Sequence, residues 1–147
     1  MMTDKWGRRW FKTGAVLLVV LGLLHSVSLI MKQVPANDTE RQLLDLMGNY
    51  KFDLMGSVRS MADLRKGFDI SFMLGAIGLG VLDLLLSGER AGLLKRVVLF
   101  NTVWLAAMTA VSLVYFFVLP TSFLVVALLM FALAWLKLRG AAQENTD

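Results

Sequence analysis

Four stretches of this 147-residue chain are long, apolar and nearly free of charge, and they constrain everything else. They cover residues 13–31, 68–86, 97–118 and 123–138. A helix rises about 1.5 Å per residue, so the first, of nineteen residues, is ~28 Å long and long enough to cross the hydrocarbon core of a bilayer. The chain is 57% hydrophobic, against about 45–50% for a soluble domain. The sequence therefore predicts an all-α membrane fold: one four-span domain over 1–147, with an amphipathic, extracytoplasmic helical insert over 32–67. A cleaved signal peptide is the rival reading of the first run. That run is long for a signal-peptide core and carries His25.

The insert follows a helix stop at Pro35. Asn37, with Glu40 three residues on, has the spacing of a helix N-cap. Leu43, Met47, Tyr50, Leu54, Val58 and Met61 then recur at three- and four-residue steps, the apolar stripe of an amphipathic helix. Gly48 and Gly56 are where such a helix would break. The helix is expected to lie as a lid on the outer mouth of the bundle. An echo, Asp45-Leu46-Met47-Gly48 and Asp53-Leu54-Met55-Gly56, is too short to signal a repeat fold.

Charge sets the expected orientation. Lys5, Arg8, Arg9, Lys12, Arg90, Lys95, Arg96, Lys137 and Arg139 fall on the side shared by the head, the 87–96 turn and the tail. The insert holds the other six basic residues, nearly balanced by acids, and the 119–122 turn has none. The positive-inside rule then puts both termini in the cytoplasm of a bacterial inner membrane. Gly140 is the expected cap of the fourth span, before a short polar tail.

Ionisable groups inside a span ask for an explanation. Counted by depth, His25 and Ser28 on span one, Asp69 and Ser71 on span two, and Thr109, Ser112 and Tyr115 on span three lie near one outer level. Together they form a candidate pocket, with His25 as ligand-binding or proton-relay group. Deeper, Asp83 and Asn101 share a level and form a candidate intramembrane hydrogen-bonded pair. On span two, Asp69, Met73, Ala76, Gly80, Asp83 and Ser87 form one small or polar stripe, expected to face the bundle.

Several chemistries find no support. There is no cysteine and one histidine, so neither a thiolate nor a multi-histidine metal site can form within one chain. The nine methionines lack the tight spacing of a copper site. No Gly-x-Ser-x-Gly, P-loop or His-Glu-x-x-His motif occurs, so no catalytic residue is assigned. No metal or cofactor is expected. Expected partners are membrane lipids, an apolar small molecule, and a membrane-protein partner or second copy. The +4 net charge belongs to topology, with no nucleic-acid motif beside it.

The insert ends in Ser60-Met61-Ala62-Asp63-Leu64-Arg65-Lys66-Gly67-Phe68, which fits Ser-x-x-Asp-x-x-x-Gly-Phe leading into a span. Ser60 can cap a helix, Asp63 can add charge near its positive end, and Gly67 permits a bend. With His25 and Pro35, this motif resembles a group of small bacterial four-helix membrane proteins of unassigned function. The resemblance covers the first half of the chain and implies fold and localisation without an activity. The sequence points first to a non-enzymatic protein that binds an apolar ligand or lipid, or supports a membrane complex. The alternative is a small transporter or membrane enzyme using His25 and Asp69.

Overall fold

The computed structural model describes residues 2–143. The chain folds as α1 (Met2–Ile30), α2 (Asp38–Asn49), a hairpin of β1 (Lys51–Leu54) and β2 (Ser57–Ser60), then α3 (Met61–Leu86), α4 (Ala91–Tyr115) and α5 (Val118–Gln143). Four of the five helices, all but α2, are long and apolar enough to cross a membrane. They extend beyond the predicted apolar runs because polar turns at each end continue the same helices.

The central helix is α1, which packs on both α3 and α5, while α4 packs on α5. Each seam follows a helical period. On α5, Leu124, Ala127, Phe131, Ala134 and Leu138 are buried; on α4, Leu94, Val98, Asn101, Leu105, Thr109 and Ser112 are. Both stripes advance by three or four residues, as a bundle seam should. Between α1 and α3 the backbones nearly touch. A Cβ on Gly80 would stand 2.6 Å from the Ala15 carbonyl oxygen and 3.0 Å from the Val19 amide nitrogen. Between α1 and α5, Gly14 seats the Phe131 ring, which also meets Phe11 edge-on at 5.5 Å.

The helix ends are held locally. Ser60 and Asp63 form a reciprocal capping box at the start of α3, with bonds of 2.9 and 3.2 Å. Asn37 caps α2 by accepting from the Glu40 amide at 2.8 Å, while the Glu40 carboxylate takes the Ala36 amide. Arg8 of α1 donates to the Ser87 carbonyl at 2.9 Å, placing a cation at the C-terminal end of α3.

Four features differ from the sequence reading. The insert is not helical throughout: residues 51–60 form the hairpin, with Lys51 opposite Ser60 and Leu54 opposite Ser57. Tyr50, Phe52 and Leu54 alternate with Lys51 and Asp53, a two-residue period that overrides the weaker three-and-four pattern. The turn at Met55 and Gly56 has φ of 53° and 87°, and the Gly56 amide donates to Asp53 Oδ1 at 2.7 Å. Glycine takes that conformation without a steric cost. Helix α2 buries none of its residues, so its apolar face does not close the bundle. The turn expected at residues 119–122 is instead Phe116–Phe117, and Pro120 sits in the first turn of α5. Proline is tolerated there because that turn's amides lack helical acceptors anyway. Gly140 does not cap α5, which runs on to Gln143; residues 144–147 of the polar tail lie outside the described residues.

The close α1–α3 contact makes a specific prediction. Gly80→Val should destabilise the bundle by about 1–3 kcal/mol, read by denaturant unfolding in detergent. Gly78→Val, whose new Cβ would meet nothing within 4 Å, should be near neutral. Equal behaviour of the two variants would show that the seam is not closely packed.

Candidate functional site

The helix pairing leaves α3 and α4 apart along most of their length. A groove of about 400 Å³ opens between them, floored by Leu18 and Leu21 of α1 and by Leu124 of α5. Phe72, Gly75, Ala76 and Leu79 form one wall, and Phe100, Trp104, Leu105 and Met108 the other. The wall residues recur at helical spacing, so each helix lends one face. Phe100 and Trp104 are about half exposed, so the groove opens sideways, away from the bundle axis.

A polar pair stands beside the insert end of this groove. His25 Nε2 lies 3.4 Å from Asp69 Oδ1. The approach is within ion-pair reach but lacks hydrogen-bond geometry, and His25 Nε2 has no hydrogen-bond partner among the described residues. The imidazole also meets the groove-lining Phe72 edge-on, with ring centroids 4.9 Å apart. Phe72 and Asp69 thus flank the ring on the α3 side, and His25 stands next to the groove but is not among its lining residues.

The other members of the predicted pocket disperse. Ser71 lines the groove. Ser28 Oγ donates to the His25 carbonyl of its own helix at 2.6 Å. Thr109 is buried but lines neither cavity, its Oγ1 without a partner among the described residues. Ser112 Oγ shares a 2.7 Å hydrogen bond with Thr121 Oγ1 of α5. Tyr115 is exposed at the end of α4. Depth counting finds levels but not azimuths. It brings His25 and Asp69 together, yet cannot tell the groove side of α4 from its α5 side.

At the termini end the second polar pair is formed. Asn101 Nδ2 donates to both carboxylate oxygens of Asp83, at 2.8 and 2.7 Å, and both residues are fully buried. The stripe from Asp69 to Ser87 does lie on the more buried side of α3, with Gly80, Asp83 and Ser87 the most enclosed. A smaller cavity of about 280 Å³ adjoins this pair, bounded by Asp83, Asn101, Arg96, Leu82, Leu86 and Val97. Leu79 and Phe100 line both this cavity and the groove, so the two form one continuous seam.

The sequence reading missed Phe72, Phe100, Trp104 and Thr121. Their signal was faint: an apolar wall facing a groove has the same composition as an apolar wall facing lipid. Among the described residues, no cluster of three or more His, Cys, Asp or Glu side chains could hold a metal ion. Compared with family models, curated proteins and solved structures, the chain gives no match.

Proposed function

We propose that this chain is a multi-pass protein of a bacterial cytoplasmic membrane that binds an apolar ligand or lipid chain, without catalysis, in the groove between α3 and α4. The observation that carries the reading is the groove itself, an apolar seam open to the side with a histidine–carboxylate pair at one end. Binding sites of this size and apolar lining suit hydrocarbon, with a few polar groups to orient the ligand. From Ser71 to Leu86 the α3 wall of the joined seam is ~22 Å long at helical rise, the scale of an extended acyl chain. Support for a larger membrane complex is compatible with this role, since the exposed hairpin and α2 face remain available beside it.

Filling the groove tests the reading. A Cβ added at Gly75 meets nothing within 4 Å, so a larger side chain there enters the groove without disturbing the α1 seam. Gly75→Phe should reduce retention of co-purifying apolar molecules, read by native mass spectrometry, by about tenfold, equivalent to about 1.4 kcal/mol. Gly78→Phe, outside the groove, should retain them. Retention unchanged by Gly75→Phe would end the groove reading.

Both termini are assigned to the cytoplasm on the distribution of Lys and Arg. A reporter that works only in the cytoplasm should be active when fused after Asp147. Activity of a periplasm-dependent reporter at that position would reverse the orientation.

The 3.4 Å approach of His25 to Asp69 favours one second reading, a small transporter or membrane enzyme that moves a proton through this pair. In that case His25→Ala and Asp69→Asn would each abolish complementation of a deletion strain while inserting normally. For a binding protein whose affinity comes from the groove, complementation should survive both changes.

A further inference from the structure

The hairpin carries an apolar face that the bundle leaves open. Residues directly opposite in an antiparallel pair share a face, so Phe52 stands beside Arg59 and Leu54 beside Ser57. Tyr50 stacks on Phe52, with ring centroids 6.3 Å apart, and extends the same face. Both Tyr50 and Leu54 are exposed. At the tip, Met55 is fully exposed and has a φ of 53°. A hairpin turn with positive φ at both central residues ordinarily takes Asn, Asp or Gly in the first place. Methionine bears a steric cost there, and it puts a long apolar side chain at the end of the hairpin.

The charges around that face are mostly of one sign and are not paired with one another. Between residues 51 and 66, the cations Lys51, Arg59, Arg65 and Lys66 outnumber the acids Asp53 and Asp63. Both acids are engaged by backbone amides: Asp53 accepts from the Gly56 N–H and Asp63 from the Ser60 N–H. All four cations are exposed, and none lies in an ion pair among the described residues. Arg59 donates to the neighbouring Val58 carbonyl at 2.9 Å and Arg65 to Gln33 Oε1 at 3.1 Å, which leaves most of each guanidinium free. Helix α2 has the opposite balance, with Asp38, Glu40 and Asp45 against Arg41.

We infer that the hairpin and the first turns of α3 dock on an anionic phospholipid surface, the tip and the Tyr50–Phe52 face at the headgroup–acyl boundary and the four cations at lipid phosphates. Strand β2 ends on Ser60, the cap of α3, so the tip is at most ~13 Å of extended chain from a helix long and apolar enough to cross a membrane. Within that reach the apolar face is either held in water or laid on lipid, and the second is favourable. Phe68, 74% exposed, follows Arg65 by three residues on the same side of α3. An apolar ring thus stands on the hydrocarbon side of a cation, the arrangement that suits a headgroup boundary. Anionic headgroups complement the sign of the hairpin and repel the acids of α2, so the hairpin is the part of the insert that meets them. The hairpin lines neither cavity, which makes this surface independent of any ligand in the groove.

The chain has no cysteine, so Ser57→Cys places a single bimane label beside Leu54 on the apolar face. The labelled full-length protein is held in nanodiscs of phosphatidylcholine, or of phosphatidylcholine mixed with phosphatidylglycerol. Quenching of the label by acrylamide, a neutral aqueous quencher, is then measured. Quenching should fall several-fold when the anionic lipid is present. Raising the salt from about 0.01 M to about 1 M, which shortens the screening length from about 30 Å to about 3 Å, should restore most of it. These comparisons use one folded protein, so misfolding cannot imitate them. Lys51→Gln, Arg59→Gln, Arg65→Gln and Lys66→Gln combined should abolish the dependence on anionic lipid, and Met55→Ser should weaken the protection. Equal quenching in the two lipids would overturn the inference. So would a lipid dependence retained by the charge variant, or protection unchanged by salt or by Met55→Ser.

Discussion

The bundle depends on how closely its first helix lets its neighbours approach. Helices in hydrocarbon gain little from leaving lipid for one another, because both surroundings are apolar. What holds them is contact between complementary surfaces, and contact improves steeply as backbones close in. On one side α1 accepts Gly80 of α3 against the Ala15 carbonyl; on another it offers Gly14 as a seat for Phe131 of α5. With α3 and α5 committed to α1, α4 finds its surface on α5. The groove is what remains: α3 and α4 are joined by a short turn, yet each is packed more firmly elsewhere.

Much of the architecture was legible because membrane helices write themselves as long apolar runs. The four long apolar helices, the Ser60–Asp63 cap and the small-residue stripe on α3 could each be read from local pattern, since each arises within one helix. The pairing of helices could not. Two glycines of α3 show why: Gly80 touches α1 and Gly78 touches nothing, although both sit in the same apolar context. The hairpin was hidden for another reason. Asp45-Leu46-Met47-Gly48 is helical and Asp53-Leu54-Met55-Gly56 makes a tight turn. Four residues do not decide their own conformation; the alternation of Tyr50, Phe52 and Leu54 before the second copy tips the balance. Pro120 was read as part of a turn over 119–122, whereas proline is equally at home in a helix's first turn.

The candidate site was legible by depth and illegible by direction. Residue counting along a span fixes height to within a turn, which is why His25 meets Asp69 and Asp83 meets Asn101. It says nothing of which way Ser112 points, and that residue bonds Thr121 on the far side of α4. Polar groups in spans therefore divide by what they lie beside. Ser112 and Thr121 satisfy each other within the α4–α5 seam. His25–Asp69 and Asp83–Asn101 each leave an atom without a hydrogen-bond partner, and each stands beside the open α3–α4 seam.

Thr109 Oγ1 is also unpartnered among the described residues although it lines neither cavity, so an unmet atom marks a binding contact only where it stands beside the open seam. A polar group kept only to join two helices should exhaust its hydrogen-bonding capacity on them, because any remainder is unfavourable in hydrocarbon. Ser112 and Thr121 meet this standard and are interchangeable in principle with well-packed apolar residues. His25 Nε2, Asn101 Oδ1 and Thr109 Oγ1 do not meet it. An unmet acceptor or donor beside an apolar groove has a natural complement in a ligand that brings a polar head on a hydrocarbon chain. The two ends of the seam differ in charge character, since Asp69 faces a histidine and Asp83 a neutral amide.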